Sequence, residues 1–358
     1  MASWCVNLAL IFFALWVPLV LYLAHYWFTR KYNFLHQMPK YTEPEYQPFV
    51  RHDRKNWSVV EFIFVGIFIA PLKIFLVVSA ALLGFLCNKL LTKIYGIEDI
   101  EKEQPVGFAR LSWMVNRAVT SVILFSFGFR VRHYMRHFDS EKYPRLQQVA
   151  ETGRNTTVLI SNHVSWVDIV YFMSSNYRIC FISKSGVRDY PVVGFYARIM
   201  QCIFLNREQS NDRKLVLQKL QERVHNINQG RNFSKIVIFP EGTTTNGDSL
   251  IGFKKGAFVL GTPLKVVALK YRGRVSPTFN MMATIDNIVS MFFQLYSHLD
   301  VYAFEGLIAP TSRMDWEEYA EAVRDLMAAE FHLNKSNATF KDKKELEARC
   351  NSYSEKEV

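Results

Sequence analysis

Hydrophobic residues fall along this chain in two regimes, long unbroken runs in the first third and short runs alternating with amphipathic ones thereafter. From Trp4 to Phe28 there is no Asp, Glu, Lys or Arg, a run longer than the roughly 20 residues that cross a bilayer core. It predicts a transmembrane anchor over residues 1–29. Arg30 and Lys31, then Arg51, Arg54 and Lys55, follow at once, and a basic flank stays cytosolic, so the N-terminus is expected to be translocated. A cleavable signal peptide is the competing reading, but no basic n-region and no small-x-small site precede Arg30. Residues 30–58 read as a basic linker. The next apolar zone, Phe62 to Leu86 within residues 59–91, is interrupted at Pro71-Leu72-Lys73. Proline breaks the helical ladder and a mid-bilayer lysine is costly, which favours a membrane hairpin over a second transmembrane segment. The two differ in consequence, because a full span would put the downstream domain on the other side. Trp113 to Phe129 carries Asn116 and Arg117 among apolar residues and fits both a helix lying in the interface and an ordinary domain helix.

From about Arg130 the period changes. Strands are expected at Val158–Ile160, Ile179–Ile182, Cys202–Leu205, Ile236–Phe239 and Val266–Leu269. Val216, Leu220, Val224 and Ile227 repeat at helical spacing between the third and fourth, as do Trp316, Tyr319, Ala320, Val323, Leu326, Met327 and Phe331 near the end. Strands separated by helix-length segments predict an α/β class: a layered domain over residues 112–333 with a central mixed sheet flanked by helices, preceded by N-terminal membrane helices. Residues 334–358 are polar and charge-mixed and read as a disordered tail.

Composition adds a partner class. The 358 residues carry a formal net charge of +11 with 50% apolar residues, and beside membrane helices such a charge points to anionic lipid headgroups rather than nucleic acid, for which no motif is present. Cys5, Cys87, Cys180, Cys202 and Cys350 are scattered and odd in number, so neither a disulfide framework nor a zinc site is indicated.

Three stretches could carry chemistry. In Ser161-Asn162-His163-Val164-Ser165-Trp166-Val167-Asp168, five residues on one helix would put His163 and Asp168 about 140° apart. They meet only if His163 precedes the helix and Asp168 lies in its first turn. The carboxylate would then fix the imidazole tautomer and leave the other nitrogen as a general base. Read alone, the same residues make a variant capping box in which Asp168 satisfies a backbone N–H. Phe239-Pro240-Glu241-Gly242-Thr243-Thr244-Thr245-Asn246-Gly247 follows a strand and combines a carboxylate with hydroxyls and turn glycines. Between them lie Lys184-Ser185-Gly186, Pro191 to Gly194, and Asn206-Arg207 at a strand end, where an arginine can grip a phosphate. Lys254, Lys255, Lys265 and Lys270 read as ordinary surface charges.

Order and spacing of these stretches resemble the glycerophospholipid acyltransferase family, the relatives of 1-acylglycerol-3-phosphate acyltransferase, over about Phe127 to Phe331. Phe-Pro-Glu-Gly-Thr-Thr-Thr-Asn-Gly, then Gly252-Phe253-Lys254-Lys255-Gly256-Ala257-Phe258, with Ala70–Lys73 upstream, look most like the lysophosphatidylcholine and lysophosphatidylethanolamine acyltransferase branch. The resemblance implies His163 as base and Asp168 as its orienting carboxylate. It implies substrate contacts at Asn162, Lys184, Gly194, Arg207, Glu241, Gly242, Thr243 and Thr244. It also implies acyl-CoA as co-substrate with no cofactor or metal, and a lysophospholipid acceptor: lysophosphatidylcholine, lysophosphatidylethanolamine or lysophosphatidic acid. The expected setting is the endoplasmic reticulum membrane, or the Golgi, with a cytosolic catalytic domain. Glycerol-3-phosphate acylation, CoA-independent transacylation and non-enzymatic lipid binding are the alternatives. The chain departs from the family pattern at Val266, where a second proline is usual, which bears on donor or acceptor preference. No Asp-x-Asp-x-Asp-Gly run exists, so calcium control through EF-hand loops is not expected.

Overall fold

The structure is a computed structural model that describes residues 2–36, 40–152, 156–205, 212–278 and 280–356. Four helices come first, α1 (Ala2–Tyr26), α2 (Val59–Phe68), α3 (Ala70–Ile94) and α4 (Val106–Ser126). Strands β1 (Phe129–Arg136), β2 (Leu146–Val149) and β3 (Val158–Ser161) lead into α5 (Trp166–Ser174). Then come β4 (Ile179–Lys184), α6 (Val193–Ile199), β5 (Ile203–Leu205), α7 (Asp212–Asn228), β6 (Lys235–Ile238) and β7 (Ser249–Leu250). The chain finishes with β8 (Leu264–Gly273), α8 (Thr284–Phe292), β9 (Ser297–Phe304), β10 (Leu307–Pro310), α9 (Trp316–Glu330), β11 (Asn334–Lys335) and α10 (Phe340–Lys356).

Among the described residues the main sheet has nine strands, with β1-β9-β8-β3-β6-β4-β5 as its path and β10 bridging β2 and β8. Strands β8, β3, β6, β4 and β5 run parallel, whereas β9 is antiparallel to β8. The sheet is therefore mixed and flanked by helices. All four residues of β3 are buried, as a central parallel strand covered on both faces requires. Each of the five expected strands coincides with an observed one, and Val216, Leu220, Val224 and Ile227 are buried on α7. Strands β1, β2, β9 and β10 carry no clean alternation. In β9 the apolar run is broken by Asp300, which is 1% exposed and tolerated there because Arg132 (2.6 Å) and Arg272 (3.0 Å) neutralise it.

The first three helices pack on one another and on the domain. Trp16 Nε1 donates to the Gly66 carbonyl on α2 at 2.9 Å. The break between α2 and α3 falls at Ile69, one residue after which Ala70-Pro71 opens α3, where proline costs no helical hydrogen bond. Lys73 is turned away from the apolar face and donates to the Gln294 carbonyl at 2.6 Å. Further along, Tyr196 Oη donates to the Ala81 carbonyl and Asn88 bonds Asn116 of α4. One face of α3 is thus docked on α4 and α6. Its other face, including Phe75, Leu83, Leu90 and Ile94, is exposed. Both α3 and Leu10–Lys31 are long and apolar enough to cross a membrane. Helix α4 begins earlier than the apolar stretch at Trp113 and buries Phe108, Asn116 and Leu124 while presenting Val106, Met114 and Phe125 outward.

Two expectations are corrected. Residues 30–36 and 40–58 are not a linker: Tyr32, Leu35, Tyr46, Phe49 and Val50 are buried with Leu346 and Cys350 in a second core. Arg51 is 1% exposed, its guanidinium bound to Asp53 at 2.8 Å and to the carbonyls of Ser276 and Thr278. The charge is cancelled locally, so the basic count of this segment overstates its affinity for water. The tail is not disordered over residues 334–356 either. Its low mean hydropathy hides Leu346 and Cys350, four residues apart on one helix face and both buried, and β11 pairs with β7 in parallel. The catalytic domain therefore continues beyond residue 333.

Candidate active site

Parallel pairing of β3 with β6, with Ile160 beside Ile238, places the segments that follow the two strands side by side at the carboxyl edge of the sheet. Residues 78 apart in sequence meet there: the His163 N–H donates to Glu241 Oε1 at 2.8 Å. The His163 carbonyl in turn accepts from the Thr245 N–H at 2.8 Å. The loop after β6 thus holds both backbone groups of His163.

The imidazole is fixed independently. Nδ1 lies 2.8 Å from Asp168 Oδ2, and the same oxygen accepts from the Val164 N–H at 2.7 Å and the Ser165 N–H at 2.9 Å. Ser165 caps α5 in a capping box completed by Asp168. Asp168 both caps α5 and bonds the imidazole, because one carboxylate oxygen serves both sets of donors. Asp168 is fully buried, while the His163 side chain keeps 20% exposure. Phe239 stacks on the ring at 4.0 Å between centroids and 11° between planes, and Phe181 stacks on Phe239 behind it. One face of the imidazole is dry. With Nδ1 committed to Asp168, Nε2 is the nitrogen available to take a proton.

Glu241 is 1% exposed, and its second oxygen accepts from the Ile251 N–H at 3.2 Å. Burial pushes its carboxyl up to about 8, offset in part by these two backbone donors. It is a clamp on the loop rather than a group facing a substrate. Gly242 follows at φ +69°, and a Cβ there would meet Lys254 Nζ at 2.7 Å. The lysine side chain crosses the loop at that glycine. Lys254 is thus drawn to the site, while Lys265 bonds Glu151 at 2.7 Å and Lys270 the His332 carbonyl at 2.8 Å, as surface and structural charges do.

Other expected contacts separate. Asn162 is fully buried and spends its amide on the backbone of Leu269, accepting at 2.8 Å and donating at 3.0 Å. It extends the sheet, and its buried amide is turned to the backbone of β8. Gly194 is buried in α6, where a Cβ would lie 2.2 Å from the Arg188 carbonyl, so close packing explains the glycine. Lys184 is exposed at the end of β4, on the same sheet edge as His163. Arg207 lies outside the described residues. Thr243 and Thr244 face α10: Lys343, 5% exposed, donates to the Thr244 carbonyl at 2.9 Å, to its Oγ1 at 2.7 Å and to Thr243 Oγ1 at 3.4 Å. From the other side, Asn246 bonds the carbonyls of Gln47 and Pro48 at 2.8 and 2.7 Å. Lys343→Met should lower turnover about 10-fold, because a charge-assisted anchor of the loop is lost; kcat per folded enzyme is the measurement. Wild-type kcat would show that α10 is dispensable to the site.

Lys254 reads from the sequence as an ordinary surface charge, and Phe239, Thr245 and Lys343 carry no role there. The first three stand inside or beside the quoted motifs. Lys343 stands in a segment whose composition gave no signal.

Residues 138–270 match the family model described as Acyltransferase. The lysophospholipid acyltransferase LPEAT1 of Arabidopsis thaliana is 32% identical over 313 residues, 79% of this chain and 78% of that protein. The lysophosphatidylcholine acyltransferase 2 of Rattus norvegicus is 26% identical over 84% of this chain, which spans 53% of that relative's length. In structure, the 1-acyl-sn-glycerophosphate acyltransferase PlsC of Thermotoga maritima aligns with a TM-score of 0.48 and 15% identity, over 73% of this chain and 95% of that one. The matched segment holds His163, Asp168 and Glu241, which meet just beyond the ends of two adjoining parallel strands, and the similarity to the plant enzyme reaches well beyond it. The chain belongs to the glycerophospholipid acyltransferase family, in its lysophosphatidylcholine acyltransferase-like branch, and is an acyltransferase.

Proposed function

We propose that the protein transfers a fatty acyl chain from acyl-CoA to the free hydroxyl of a lysophospholipid. The observation that carries this reading is His163, with Nδ1 held by Asp168, one face against Phe239, and the ring partly open at the sheet edge. Nε2 takes the proton of the acceptor hydroxyl as its oxygen attacks the thioester carbonyl. The C–O bond forms, the C–S bond breaks, and the imidazolium returns its proton to the departing CoA sulfur. Asp168 stabilises the imidazolium in between. Glu241, Gly242, Thr243 and Thr244 shape the loop beside it, and Lys254 and Lys184 supply positive charge at the same edge for a headgroup phosphate.

The membrane setting follows from the helices. An α3 that crossed a bilayer while docked on α4 and α6 would pull Arg198 of α6 toward hydrocarbon. A half-embedded α3, with Phe75, Leu83 and Leu90 in one leaflet, avoids that cost and leaves the site at the lipid surface. The proposed location is the endoplasmic reticulum or Golgi membrane with the catalytic domain in the cytosol.

The test is purified enzyme offered labelled acyl-CoA with lysophosphatidylcholine, lysophosphatidylethanolamine, lysophosphatidic acid or glycerol 3-phosphate in separate reactions. Acyl-CoA-dependent labelling of at least one lysolipid is expected. Labelling of glycerol 3-phosphate alone, or equal transfer from phospholipid without acyl-CoA, would overturn the proposal.

A further inference from the structure

Strand β8 outruns its neighbour. Ser161, the last residue of β3, pairs with Val267, yet β8 continues to Gly273. The overhang passes over the turn that carries His163 and the first turn of α5. Its register there is set by Asn162, whose side-chain amide replaces the missing strand by bonding both the N–H and the carbonyl of Leu269. Two residues on, and so on the same face, Tyr271 aims its hydroxyl at Asp168: Oη to Oδ1 is 2.6 Å. The matched family segment stops at residue 270, one residue short.

The two oxygens of Asp168 have unequal surroundings. Oδ2 accepts from the imidazole and from two backbone N–H groups, all within 2.9 Å. Oδ1 accepts from the Tyr271 hydroxyl. A fully buried carboxylate with one bare oxygen would twist about Cβ–Cγ to share its donors, drawing Oδ2 away from Nδ1. We infer that Tyr271 is a positioning residue of the acyl-transfer base, fixing the plane of the Asp168 carboxylate so that Oδ2 faces His163. This rests on the reading of His163 and Asp168 as base and orienting carboxylate. Burial beside Asp168 pushes the phenol well above its ordinary range, so it stays protonated and acts as a donor. Its ring packs edge-on to Phe129 at 5.7 Å, a contact that phenylalanine would keep.

Tyr271→Phe is therefore expected to lower kcat about 10-fold, the loss of one charge-assisted hydrogen bond, with KM for acyl-CoA and lysolipid each changed less than about twofold. In a His163→Ala background the same substitution should cost nothing further, since the group it orients is gone. Rates are taken per folded, monodisperse enzyme. If His163→Ala keeps wild-type turnover, the base assignment fails and the role of Tyr271 with it. If His163→Ala is inactive but Tyr271→Phe turns over like wild type, the inference about Tyr271 alone is wrong. A lower melting temperature with unchanged kcat would likewise reduce Tyr271 to a packing residue and overturn the inference.

Discussion

Turnover of the His163→Ala variant is expected to fall about a thousandfold, with KM for both substrates nearly unchanged. General-base assistance is worth about 10² to 10⁴ in rate, and the role proposed for this imidazole rests on its geometry. Its Nδ1 is 2.8 Å from a buried carboxylate, and its backbone N–H and carbonyl are both tied to the loop after β6. Removing the ring leaves those backbone bonds in place, so the loss is confined to chemistry. Asp168→Asn should cost about a hundredfold or more. The amide oxygen can still accept from Val164 and Ser165, which preserves the cap on α5, but an amide cannot both accept from Nδ1 and carry the charge that stabilises an imidazolium. Steady-state kinetics on membranes or detergent-solubilised enzyme decide the matter. Full activity in both variants would remove the proposed mechanism.

Glu241→Ala should have the second-largest effect. It leaves the N–H groups of His163 and Ile251 buried without acceptors, at about 1–3 kcal/mol each, a large part of the stability of an ordinary domain. Activity and melting temperature are expected to fall together, unlike the His163→Ala result. The conservative Glu241→Gln keeps one acceptor and does not titrate, which permits a pH test. In the folded protein burial pushes the Glu241 carboxyl up to about 8 from an ordinary value of 4.5. The folded state therefore binds the extra proton, and the stability Glu241 contributes is full below about 4.5 and lost as pH rises through about 8. The melting-temperature advantage of wild type over Glu241→Gln should shrink between pH 5 and pH 9. A constant difference across that range would mean that Glu241 is ionised throughout.

The sheet and the contact between His163 and Asp168 could be read from the chain because both depend on local pattern. Central parallel strands are short apolar runs, and His163 and Asp168 are brought together by one turn and one helix cap. What could not be read depends on charges cancelled at a distance and on side chains used by the backbone. Asp300 masks β9 until Arg132 and Arg272 reach it; Arg51 makes a buried segment look like a solvated linker until Asp53 is seen beside it. Asn162 sits next to the base in sequence, yet its amide belongs to the ladder of β8. Tyr271 is 103 residues from Asp168, and no spacing rule links them.

The loop from Phe239 to Gly247 is secured from opposite directions, by Gln47 and Pro48 on one side and by Lys343 on the other. A nascent chain leaves the ribosome in order, so the base, its carboxylate and the aromatic stack are all made before the last of these anchors. Here the loop behind His163 is fastened by one segment that emerges well before it and by another that emerges well after it, so a part of the chain made early and a part made late meet on the same loop.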